Sequence, residues 1–65
     1  MPFVKIDIWT GRSRDEKRKL LQAVSKAVSE TMNIPIEHVH VVISEAPKDN
    51  WGLHGDQASR LDLGK

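Results

Sequence analysis

The sequence predicts an α/β (α+β) fold: one β-α-β unit with parallel strands, a C-terminal hairpin arm, and a sheet completed by dimerisation. Three features point to it. The chain opens on an alternating apolar stretch, continues into a capped amphipathic stripe, and resumes after Pro35 with a second β-branched run. A helical crossover makes two flanking strands parallel neighbours, joined right-handedly. One helix covers one face of such a sheet. The other face therefore needs a partner.

Each element has its own signature. From Phe3 to Trp9, Val4, Ile6 and Ile8 fall on one side and Lys5 and Asp7 on the other, the period of a half-buried strand. Phe3 and Trp9 lie on the nominally polar side, which suggests that another subunit covers it. Thr10-Gly11-Arg12-Ser13 ends the strand, and Ser13 with Glu16 has capping-box spacing. Leu20, Leu21, Val24, Ala27, Val28 and Met32 then form the stripe of a helix running from about Arg14 to Asn33, about 30 Å long. Asn33 suits a C-terminal cap, and Pro35 blocks continuation. Ile36-Glu37-His38 is a short turn, Val39 to Glu45 a more deeply buried strand, and Ala46 to Asn50 a loop. The tail from Trp51 holds Gly52 and Gly55, which suggest a tight hairpin or an extended arm.

The chain has 65 residues, read as a single domain spanning 1–65 with Met1 removed. A domain this small buries only about 60% of the surface its unfolded chain exposes. With no cysteine, disulfides, thiolate metal sites and a cysteine nucleophile are all excluded. Oligomerisation is then the expected source of stability. Ten basic and nine acidic residues are interspersed for a net charge of +1, which argues against a nucleic-acid partner. No apolar run approaches the roughly 20 residues of a membrane span, and the alternating N-terminus is unlike a secretory signal. No membrane partner and a cytoplasmic location are expected.

Five residues are weighed as candidates for chemistry. Pro2 is either a strand-edge proline or, once Met1 is removed, a secondary amine. An α-amino group titrates near pH 7.7–8.0, and burial or nearby cations lower that value toward the working range of a general base. Arg12 is either a solvated loop residue or a planar, permanently charged fork for a carboxylate. His38 and His40 alternate at the start of the second strand, but no third or fourth ligand is evident, so no metal is expected. Trp51 is either an interface anchor or the apolar wall of a pocket for an unsaturated acid.

Taken together, Met1-Pro2, Gly11-Arg12-Ser13, the helix start Asp15-Glu16-Lys17, the strand from Val39 through Glu45 and Trp51-Gly52 resemble the 4-oxalocrotonate tautomerase family. The resemblance runs without gaps from Pro2 to about Ser59. It implies subunits that dimerise into a four-stranded sheet, commonly three dimers to a hexamer, with shared active sites. By the same resemblance, Pro2 is the catalytic base of a cofactor-independent enol–keto tautomerase acting on 2-hydroxydienoate or 2-hydroxymuconate-like acids. Arg12 from a neighbouring subunit binds a substrate carboxylate, and Trp51 lines the pocket and helps to depress the proline's pKa.

Two positions depart from the family pattern. His40 stands where well-studied members carry a second arginine, which implies one fixed cation and little preference between mono- and dicarboxylates. His54 replaces a glycine of the arm; if that position needs positive φ, a somewhat differently shaped hairpin is expected. A hydratase or dehalogenase relative would need an added carboxylate, for which Asp56 is the one candidate. A non-catalytic oligomer of the same fold is a further alternative. A ribbon-helix-helix DNA binder would require a second helix where Val39–Glu45 reads as strand.

Overall fold

Strand β1 (Phe3–Trp9) leads through a tight turn into α1 (Arg14–Met32), and β2 (His40–Ala46) returns parallel to β1. A computed structural model describes residues 2–61 of the chain. The expected removal of Met1 falls outside those residues. The β1–β2 register pairs Phe3 with His40, Ile6 with Ile43 and Ile8 with Glu45. The second strand thus begins one residue later than the sequence suggests and ends one later, at Ala46. The 3-10 turn Ile36–His38 occupies the predicted turn.

The helix begins where its side chains can satisfy its first amides. Ser13 Oγ accepts from the Glu16 amide at 3.1 Å, and Glu16 Oε1 accepts from the Ser13 amide at 2.9 Å. An N-cap of this kind is worth about 1 kcal/mol. The bond from the Ser13 amide, helped by the charge of Arg12, holds the Glu16 carboxyl below its ordinary value against an opposing effect of desolvation. A depressed carboxylate stabilises above its unfolded pKa and loses that contribution as pH falls through the folded value. This cap therefore weakens only in acid. At the other end Asn33 takes the left-handed conformation (φ 56°), and its amide donates to the Ser29 carbonyl. The helix ends at Met32, with Asn33 as its cap.

The sheet has two unlike faces. Val4, Ile6, Ile8, Val41 and Ile43 are half-buried on the side of α1, where Lys17 Nζ meets Glu45 Oε1 at 3.1 Å. On the opposite face Phe3 is 66% and Val42 42% exposed. Among the described residues only Ala58 is fully buried, and its place is in the arm. Ala27 and Met32, both expected on the apolar stripe, are exposed. The radius of gyration is 14.8 Å, against roughly 11 Å for a compact chain of this length. One subunit has a sheet but no enclosed core.

The arm is a hairpin of β3 (Gly52–Leu53) and β4 (Asp56–Gln57), preceded by the 3-10 turn Lys48–Asn50 and followed by another at Ala58–Arg60. His54 and Gly55 form its two-residue loop with φ of 56° and 79°. Positive φ at both positions is what a type I′ hairpin requires. The expectation of a reshaped hairpin at His54 is thereby corrected: the histidine adopts the left-handed conformation itself. The arm folds back on the preceding turn through Ala58 N–H to Trp51 O (2.8 Å) and Gln57 Nε2 to Asp49 O (3.0 Å).

Candidate active site

The predicted site residues separate into two groups at opposite ends of the sheet. Pro2 heads β1, half-buried, and its carbonyl accepts from the His40 amide at 3.1 Å. His40 pairs in register with Phe3 and is exposed on the face away from the helix. Pro2 and His40 are therefore neighbours in one chain.

Arg12 and Trp51 meet at the other end. The Thr10 amide closes the sheet by donating to the Ala46 carbonyl at 3.0 Å. Gly11 then turns the chain at φ 133°, a conformation that L side chains rarely adopt, and Arg12 emerges just before the helix cap. Its side chain is 68% exposed, with Nη1 3.5 Å from Glu16 Oε2. An exposed pair of this kind is worth little, so an incoming carboxylate can displace it. Asp7, Ile8, Trp9, Arg12 and Trp51 line a cleft of about 340 Å³.

Two further residues belong to this group, and sequence reasoning did not place them there. The Trp9 ring packs edge-on against Trp51, with centroids 5.8 Å apart and planes at 76°. Trp9 had a signal, being a large aromatic on a nominally polar face, but that signal indicated only a covered surface. Lys48 had none. Its Nζ lies 4.7 Å from the Trp9 ring centroid. Trp9 Nε1 is buried without an acceptor among the described residues. An unmet buried donor costs about 1–3 kcal/mol, which leaves this corner unfinished in a lone subunit.

The span between the groups is the length of β1. Seven strand residues at 3.3 Å each place Pro2 roughly 20 Å or more from Arg12. A small acid cannot touch both within one subunit. Asp56, the candidate water-activating group, is engaged locally: Oδ1 accepts from the Gln57 amide at 2.7 Å, and Oδ2 lies 3.7 Å from Arg60.

Known proteins match this arrangement over nearly its whole length. The family described as tautomerase enzyme matches residues 2–60. A 2-hydroxymuconate tautomerase of Pseudomonas fluorescens is 42% identical over 95% of this chain and 98% of its own. Among solved structures, a heterohexamer 4-oxalocrotonate tautomerase from Chloroflexus aurantiacus superposes with a TM-score of 0.89 at 30% identity. It covers 94% of this chain and 98% of that one. A 4-oxalocrotonate tautomerase isozyme from Methylibium petroleiphilum gives 0.89 at 38% identity, with the same coverage of both chains. Both relatives share the β-α-β unit and the arm. The chain belongs to the 4-oxalocrotonate tautomerase family and is a tautomerase, an isomerase of that type.

Proposed function

We propose that this chain, with Met1 removed, is a cofactor-independent enol–keto tautomerase of 2-hydroxydienoate and 2-hydroxymuconate-like acids. It works in the cytoplasm as a homo-oligomer, a dimer or a hexamer, and needs no metal. The observation that carries the reading is the position of Pro2. It heads β1, where its carbonyl accepts from the His40 amide, and a proline nitrogen has no N–H to give to the sheet ladder. A free amine there is available as a base. The 42% identity to a 2-hydroxymuconate tautomerase supports the substrate class.

In this mechanism the Pro2 amine takes the proton of the substrate 2-hydroxyl. The electron pair moves through the conjugated chain, and the same proton returns to a distant carbon, so no net proton is consumed. Arg12 of a neighbouring subunit holds the remote carboxylate and stabilises the negative charge that develops on the conjugated oxygen system. Trp51, which lines the same cleft as Arg12, supplies from that neighbouring subunit an apolar wall that favours the neutral amine. His40, beside Pro2, donates one hydrogen bond from its imidazole toward the 2-hydroxyl end. The local engagement of Asp56 gives no support to a hydratase or dehalogenase reading.

The test is the state of the N-terminus. Intact mass separates untagged protein with and without Met1, and turnover is followed by loss of dienol absorbance. Retained Met1 converts the amine into an amide, so activity should fall to near background. Pro2→Ala, with its own free amine, should keep a little, since a positioned base contributes about 10²–10⁴-fold. Full activity with Met1 verified as present would exclude the mechanism.

A further inference from the structure

Beyond the general base and the arginine grip, a second cation faces the cavity that Arg12 lines. Trp9, Thr10, Gly11, Arg12 and Lys48 enclose about 390 Å³. Lys48 opens the 3-10 turn that leads to Trp51, and its ammonium sits over the Trp9 ring at 4.7 Å. Lys48 makes no ion pair among the described residues, whereas Lys17 pairs with Glu45 at 3.1 Å and Arg12 only loosely with Glu16 at 3.5 Å. A cation held over an aromatic face keeps its ammonium donors, and the ring restricts a side chain that would otherwise be mobile. The ordering that ligand binding would demand of Lys48 is largely in place beforehand.

We propose that Lys48 is a specificity-determining residue that joins Arg12 in clasping the remote carboxylate of a dicarboxylate substrate. The Arg12 fork takes two oxygens in plane, and the Lys48 ammonium approaches from the Trp9 side. Because His40 puts no permanent charge at the Pro2 end, both fixed cations lie at the Arg12 end. The enzyme then prefers acids with a carboxylate far from the reacting 2-hydroxyl. This inference rests on the reading of Arg12 as a carboxylate grip.

The experiment uses the assembled protein and two readouts. Adipate, a saturated six-carbon dicarboxylate that cannot react, is titrated calorimetrically into wild type, Lys48→Met and Lys48→Arg. Methionine keeps the length of the side chain and packs on the Trp9 ring without charge, and sedimentation of each variant checks that assembly is intact. Loss of one charge-assisted contact should weaken adipate binding about tenfold in Lys48→Met, with most of it restored in Lys48→Arg. In parallel, kcat/KM for 2-hydroxymuconate should fall in Lys48→Met mainly through KM. That for 2-hydroxypenta-2,4-dienoate, which lacks the remote carboxylate, should stay unchanged. Equal adipate affinity in all three proteins, no measurable binding by the wild type, or equal losses on both substrates would overturn the proposal. If adipate binding responds to the charge at position 48 while wild type turns over neither dienol, the carboxylate clasp stands and the proposed reaction falls.

Discussion

The two ends of the parallel sheet are built differently, and on the proposed mechanism that difference makes one subunit insufficient. At the amino end, Pro2 and His40 are held by backbone alone, a single amide-to-carbonyl bond between strand starts. At the carboxyl end, Arg12, Trp9, Trp51 and Lys48 are gathered by side chains from the turn after β1, from β1 itself and from the segment after β2. The first end holds the proposed base with little around it. The second offers charge and apolar walls with no base. Parallel strands keep the ends a strand length apart, so joining the proposed base to the proposed grip takes a second copy, and the bare face bearing Phe3 and Val42 offers a surface for it.

The hardest way to break this complementarity is to keep the copies apart. Val42→Asp puts a charge on the bare face, where it is harmless in a lone subunit but costs several kcal/mol once buried against a partner without a counter-ion. Sedimentation should show smaller species at micromolar concentration, with lower unfolding midpoints and turnover reduced in proportion. An assembled, fully active Val42→Asp protein would mean that this face is not the interface.

Arg12→Ala tests the carboxyl end. Removing a bidentate, charge-assisted contact should lower kcat/KM for dicarboxylate enols by about 10²-fold. Mixing this variant with protein that retains Met1 sharpens the comparison, because each supplies the end that the other lacks. Random exchange between subunits should leave about a quarter of the sites with both groups intact. No recovery on mixing, with subunit exchange verified by mass, would place both ends of the site within one chain.

The smallest expected effect lies in the arm that carries the Trp51 wall. His54 occupies a left-handed conformation that costs an L side chain about 1 kcal/mol, part of which glycine returns as lost chain entropy. His54→Gly should raise stability by about 0.5 kcal/mol in denaturant titration while leaving turnover unchanged. A loss of stability would show that the imidazole makes a compensating contact in the assembly.

Local physics made much of this legible in the residue order. Alternation in Phe3–Trp9, the Ser13–Glu16 box and the Asn33 cap depend on neighbours a few positions away, and the helix ends at the residue before its predicted cap. His54 was read wrongly for a related reason: a histidine says nothing of its own φ when the partner glycine and the strand pairing impose the turn. The order of Pro2, Arg12 and Trp51 carried the family resemblance, with His40 a departure from it, but no spacing along the chain says which of the four meet.

What the sequence determined by itself, then, was the set of elements, their parallel pairing and the need for a partner, because capping, periodicity and the excess of apolar surface are counted residue by residue. Only the tertiary structure decided the membership of the two ends. Lys48 lies 39 positions from Trp9, and their contact depends on β1 and β2 lying side by side and on the 3-10 turn that follows β2. A cation over an aromatic ring is a short-range attraction with no sequence period, so it could be seen only once the strands had brought the two residues together.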